Sequence, residues 1–70
     1  MRVIGYVERE VNGLTLKYAL KESEHAMGIT IIKEYRIYAI DSGIVDELIA
    51  VFYDEMNAKR YFLALEEGNV

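Results

Sequence analysis

The residues of this 70-residue chain best equipped for chemistry gather around its one histidine. His25 stands two positions from Ser23 and beside Glu24, with Glu22 just before them. A hydroxyl, an imidazole and two carboxylates thus fall within four positions. A Ser-His-acid relay needs the imidazole to bridge the hydroxyl and the acid. Groups so close in a single loop seldom converge that way, and no nucleophile-elbow glycines frame Ser23 or Ser42. The residues read as a solvated loop histidine, and no catalytic residue is assigned.

Paired carboxylates offer a second chemistry. Asp46-Glu47, Asp54-Glu55 and Glu66-Glu67 are each adjacent in sequence. Neighbours point to opposite faces of a strand, or about 100° apart on a helix, so none forms a facing acid-base dyad by itself. Solvated surface charge is the expectation. One histidine and no cysteine exclude a zinc site and any disulfide. Phosphate-loop, dinucleotide and calcium-loop patterns are absent, so no metal or cofactor is assigned.

Tyr6, Tyr18, Tyr35, Tyr38, Tyr53 and Tyr61 suggest a third chemistry, aromatic stacking on nucleic-acid bases. Six of the eight basic residues precede position 41: Arg2, Arg9, Lys17, Lys21, Lys33 and Arg36. A β-sheet that binds nucleic acid through these groups is the alternative reading. The net charge of −4 weighs against it. Residues 41–70 hold seven acids against two bases, a balance of −5 suited to a partner protein with a basic surface. Tyrosine is also common in cores and at protein interfaces, where a rigid ring carries a polar tip.

The elements that must hold these residues are well marked at the start of the chain. Asn12-Gly13 between Val11 and Leu14 is a hairpin signal, because a type I′ turn needs positive φ at both central residues. It sets Val11 opposite Leu14, then Arg9 opposite Leu16, Glu8 opposite Lys17, Val7 opposite Tyr18 and Gly5 opposite Leu20. Continued without a break, the register pairs Ile4 with Lys21 and Val3 with Glu22. Residues 22–28 read as a connecting loop closed by Gly28.

Residues 29–40 are rich in β-branched and aromatic side chains and read as a strand. Their alternation slips at Lys33-Glu34, which implies either a bulge there or cover on both faces. Asp41-Ser42-Gly43 is the next turn. Beyond it two readings compete: a strand over 44–53 followed by a helix capped by Asp54, or one helix over 43–67 capped by Ser42. The β-branched run favours the strand, and acid after Asp54 favours a helix start there. Ala58, Tyr61, Phe62 and Leu65 have the spacing of a core-facing helical stripe, and Gly68 sits where a C-cap glycine belongs.

A hairpin at Ser42-Gly43 pairs Ile40 with Val45, Tyr38 with Glu47, Ile37 with Leu48 and Tyr35 with Ala50. Tyr35, Ile37, Leu48, Ala50 and Phe52 then share one face. Ile32, Tyr38, Ile40, Val45, Ile49, Val51 and Tyr53 share the other. One helix of about four turns covers only one of them.

The expected fold is α+β: one domain over residues 1–70, an antiparallel sheet of three or four strands opening on a hairpin, with a C-terminal helix on one face. So small a chain sits near the limit of independent stability. It is expected to self-associate as a dimer through Tyr38, Ile40, Ile49 and Val51, or through the helix flank of Met56 and Leu63. That makes it a non-enzymatic interaction module of the accessory or regulatory kind, as found among bacteriophages and mobile elements. The first apolar run is too short for a signal peptide, and no stretch nears the roughly 18 apolar residues of a membrane span. A cytoplasmic chain with no membrane partner is expected.

Overall fold

The computed structural model describes residues 1–40 and 46–68. Four antiparallel strands lie in sequence order, β1 (Arg2–Val11), β2 (Leu14–Met27), β3 (Thr30–Ile40) and β4 (Glu47–Phe52), and one helix follows, α1 (Glu55–Glu67). The α+β architecture expected from the sequence is the architecture observed. Ser42-Gly43, Ile44 and Val45 lie outside the described residues, so the turn expected there does too.

The first hairpin forms as the turn chemistry dictates. Asn12 and Gly13 both have positive φ, 52° and 80°, and the register runs from Val11↔Leu14 to Gly5↔Leu20. It then shifts at Ile4, so Val3 faces Lys21 and Arg2 faces Glu22. This bulge corrects the unbroken register, and Ile4 packs against the core instead of facing Lys21.

Residues 22–28 are not a loop. β2 continues to Met27, and Gly28 and Ile29 make a second two-residue turn between Met27 and Thr30. Gly28 has φ 63° while Ile29 stays at negative φ, which is how a type II′ turn uses a glycine at its first central position. The polar composition of Glu22-Ser23-Glu24-His25 reads as loop only when its cross-strand partners are ignored. Glu24 faces Lys33, Ser23 faces Glu34 and Glu22 faces Tyr35. β3 pairs with β2 without a shift through Lys33-Glu34, so the expected bulge is not there. The irregularity falls between Ile37 and Tyr38 against β4, leaving Ile49 as the extra residue.

That bulge also corrects the β3–β4 pairing. Tyr35 faces Phe52 and Ile37 faces Ala50, but Tyr38 faces Leu48. Leu48 therefore shares the face of Tyr38, opposite to Ile37.

The strand-then-helix reading is the observed one over the described residues, with strand at Glu47–Phe52 and helix at Glu55–Glu67. The Asp54 carboxylate accepts a hydrogen bond from Met56 N at 3.2 Å, and Glu55 places acid in the first turn. Gly68 closes the helix in the left-handed conformation. The last turn has no cation of its own, and Arg9 supplies one from β1, donating to the Leu65 carbonyl at 3.3 Å. Ala58, Phe62 and Leu65 pack on Val7, Leu20, Tyr35 and Ile37, with Ile37 fully buried. Gly5 lets the helix approach: a Cβ there would lie 2.9 Å from the Phe62 ring.

Candidate interaction surface

The helix leaves one face of the sheet open, and that face is stitched by charge and not only by grease. From β2 it carries Ala19, Lys21, Ser23 and His25, and from β3 Ile32, Glu34, Arg36, Tyr38 and Ile40. Arg36 pairs through Nε with Glu34 and donates through Nη1 to the Tyr38 hydroxyl at 3.5 Å. The bond to Tyr38 first, then that to Glu34, holds the Arg36 guanidinium still more firmly protonated than usual. The Lys21 ammonium lies 4.7 Å from the centre of the Tyr38 ring and 3.9 Å from Asp46. Ala19 is fully buried between its cross-strand neighbours Tyr6 and Tyr38.

His25 joins this network at one end. Its Nε2 lies 3.4 Å from Ser23 Oγ and 3.7 Å from Glu34 Oε2. Ser23 and His25 meet because they are two apart on one strand. The acid beside them comes from β3 and not from Glu22 or Glu24. Both contacts go to the same ring nitrogen, whereas a relay needs hydroxyl and acid on different ones. Glu34 is the only charged residue counted as buried among those described, and its carboxylate meets Arg36 and His25.

Most of the cations lie beside a carboxylate of the same chain. Arg2, Lys17, Lys21, Lys33, Arg36 and Lys59, six of the eight bases, each have a carboxylate within 4 Å, and Arg9 serves the helix end. The cations of the open face, Lys17, Lys21 and Arg36, each lie beside a carboxylate.

At the helix start, the Tyr35 hydroxyl donates to Glu55 Oε1 at 3.2 Å, and Lys59 pairs with Glu55 Oε2 at 2.7 Å. These two donors, Lys59 the stronger, pull the Glu55 carboxyl below its ordinary value. Burial, and then the neighbouring Glu55, push the Tyr35 phenol up.

The two alternative sets expected at an interface, one on the sheet and one on the helix, lie on separate parts of the molecule. Tyr38 and Ile40 are half-buried on the open face. Ile49 and Val51 are exposed on β4, at the edge of the sheet. Met56 and Leu63 are exposed on the far side of the helix, in a second depression of about 470 Å³ shared with Asp54, Glu55, Lys59 and Arg60.

A third set was hidden by reading 22–28 as a loop. Beyond Glu22 on β2 and Tyr35 on β3, no described strand pairs outside the hairpin, so residues 23–34 form a two-stranded arm. Met27, Ile29 and Ile31 lie exposed near its tip, Ile29 wholly so. At its base a depression of about 580 Å³ is lined by His25, Met27, Ile32, Glu34, Arg36 and Tyr53.

Compared with models of protein families, with curated proteins and with solved structures, the chain matches none. No helix among the described residues is long and apolar enough to cross a membrane.

Proposed function

We propose that this chain is a non-enzymatic protein–protein interaction module of the accessory or regulatory kind, and that it self-associates. One observation carries the reading: among the described residues, fourteen large hydrophobic side chains are exposed, against eight hydrophobic residues buried in the core. Scattered exposed leucines are ordinary on a large protein. Here exposure outnumbers burial on a domain whose core is already small, and exposed apolar residues that cluster mark binding surfaces. Leu48, Ile49, Val51 and Tyr53 concentrate it along the edge strand β4 and just beyond, and Met27, Ile29 and Ile31 along the arm. Internal pairing of the cations supports a protein partner over a polyanion.

Sedimentation equilibrium from about 1 to about 500 µM tests the reading, since self-association follows mass action. A rise toward twice the chain mass of 8.1 kDa is expected. A single-chain mass over the whole range would overturn the self-association.

A further inference from the structure

We infer that two copies of this chain join through their arms, the outer edge of β3 at residues 30–34 pairing antiparallel with the same five residues of the second copy about a twofold axis at Ile32. The inference deepens the self-association reading and rests on it.

Unequal strand lengths create the site. β4 pairs with β3 only as far as Phe52↔Tyr35, while β3 runs on to Thr30 with β2 on its other side. No described residue pairs with the outer edge of positions 30–34. A two-stranded ribbon is marginal in water, and its bare edge is a template for another strand. The gap is five residues long, and the same segment of a second copy is five residues long. Symmetric filling therefore centres on the third residue, Ile32.

The side chains suit that register. Ile32 meets Ile32 of the second copy on the axis, Thr30 lies opposite Glu34, and Ile31 lies opposite Lys33. No like charges are opposed. The threonine hydroxyl can donate to the glutamate, and the aliphatic stem of Lys33 can lie over Ile31. The turn of the incoming arm brings its exposed Ile29 to Tyr53, 70% exposed where β4 leaves the sheet. Because the contact is isologous, it closes at two copies and propagates no fibre.

The molecule's other edges are less suited. β1 carries Arg2, Glu8, Arg9 and Glu10, and β4 is broken by its bulge at Ile49; charges and bulges both blunt edge pairing. The arm's other edge, on β2, borders a depression lined by Met1, Arg2, Glu22 and Glu24, three of them charged. The depression beside the arm's base has Ile32, Met27 and Tyr53 in its lining along with His25, Glu34 and Arg36, and two of these polar residues, Glu34 and Arg36, are already paired with each other. Each copy brings five edge residues, Thr30–Glu34, together with Ile29 and Tyr53, against the ~20–30 a side of a standard interface, which sets the expected dissociation constant no tighter than the micromolar range.

The chain contains no cysteine, so one introduced cysteine reports one contact. Directly opposed residues in an antiparallel pair have Cβ atoms about 4.5–5.5 Å apart, close enough for a disulfide after a small adjustment. Under mild oxidation at about 100 µM, Ile32→Cys is expected to form a covalent dimer at least about tenfold faster than Leu63→Cys on the helix. Ile32→Lys, which sets two ammonium groups on the axis, is expected to weaken dimerisation at least about tenfold in sedimentation while leaving the circular dichroism of the monomer unchanged. If the unmodified chain dimerises but Ile32→Lys dimerises equally well, or Ile32→Cys links no faster than Leu63→Cys, the arm contact is wrong and self-association stands. A chain monomeric to about 500 µM would overturn both.

Discussion

The four-stranded body and the two-stranded arm are built from the same two strands, β2 and β3, and differ in what lies beside them. In the body, β1 and β4 flank the pair and the helix covers one face, so Leu20, Tyr35 and Ile37 are removed from water. In the arm, the same strands carry Ile31 and Met27 past every neighbour and leave them exposed. The two hairpin turns repeat the contrast. Asn12-Gly13 ends the first hairpin with residues suited to both conformation and solvent, whereas Gly28-Ile29 puts a bare β-branched side chain at the tip. Apolar residues are thus retained where the fold of one chain gives them no use, and this is the physical basis for assigning the arm to a partner.

The largest test of this contrast is a matched pair of truncations. Ile37→Ala, at a fully buried position, is expected to cost about 2–5 kcal/mol. Ile31→Ala in the arm should stay within about 0.5 kcal/mol for the monomer. Urea denaturation at low micromolar concentration reads both, and equal losses would erase the distinction between body and arm.

Next in size is the close approach of sheet and helix. Gly5→Ala places a methyl group against the Phe62 ring and is expected to cost about 1–3 kcal/mol. In a Phe62→Leu background the added cost should fall, because the two sites share one space, and a double-mutant cycle measures that coupling. Additive losses would show that the contact does not set the helix position.

Removing the helix cap with Asp54→Ala should cost about 1 kcal/mol in thermal unfolding, with Asp54→Asn retaining most of the stability. The arm has no part in this cap, so dimerisation should persist in both variants whenever they are folded.

The smallest effect concerns Glu55. Its carboxyl is held low in the folded state, so the contribution of the Lys59–Glu55–Tyr35 cluster is complete at neutral pH and is lost as pH falls through the folded value. Tyr35 runs the other way: raised in the fold, it contributes fully at neutral pH and loses its share as pH rises through the alkaline range. Lys59→Ala should move the Glu55 titration upward, and Tyr35→Phe should move it upward by less. Carboxyl NMR titration checks the order. A larger shift for Tyr35→Phe would reverse the two donors.

How much of this was legible differs from element to element. The first hairpin was readable because its turn needs a backbone conformation that few residue pairs adopt, and a fixed turn fixes a register. The helix was readable for a similar local reason, an acid at the cap, an apolar stripe at helical spacing and a glycine at the end. The arm was not, because Glu22-Ser23-Glu24-His25 has the composition of a loop and becomes strand only through partners seven to thirteen residues away. The bulges at Ile4 and Ile49 were equally out of reach. Each sets which face Leu48, Ile49 and Ile4 occupy, and that choice follows from how the helix and both sheet edges pack together.

The candidate site divides along the same line. Tyr38, Ile40, Ile49, Val51, Met56 and Leu63 could be named as apolar surplus from their spacing alone, since alternation and helical period are properties of the chain. That Lys21, Glu34 and Arg36 share the open face with Tyr38 and Ile40 depends on cross-strand neighbours. The sequence by itself determined the α+β class, the Asn12-Gly13 register as far as Gly5↔Leu20, and the core-facing stripe and closing glycine of the helix, all matters of local conformation and short-range periodicity. Only the tertiary structure decided that β2 and β3 outrun their neighbours, because strand length is limited by pairing across the sheet, and pairing is a property of residues far apart in the chain.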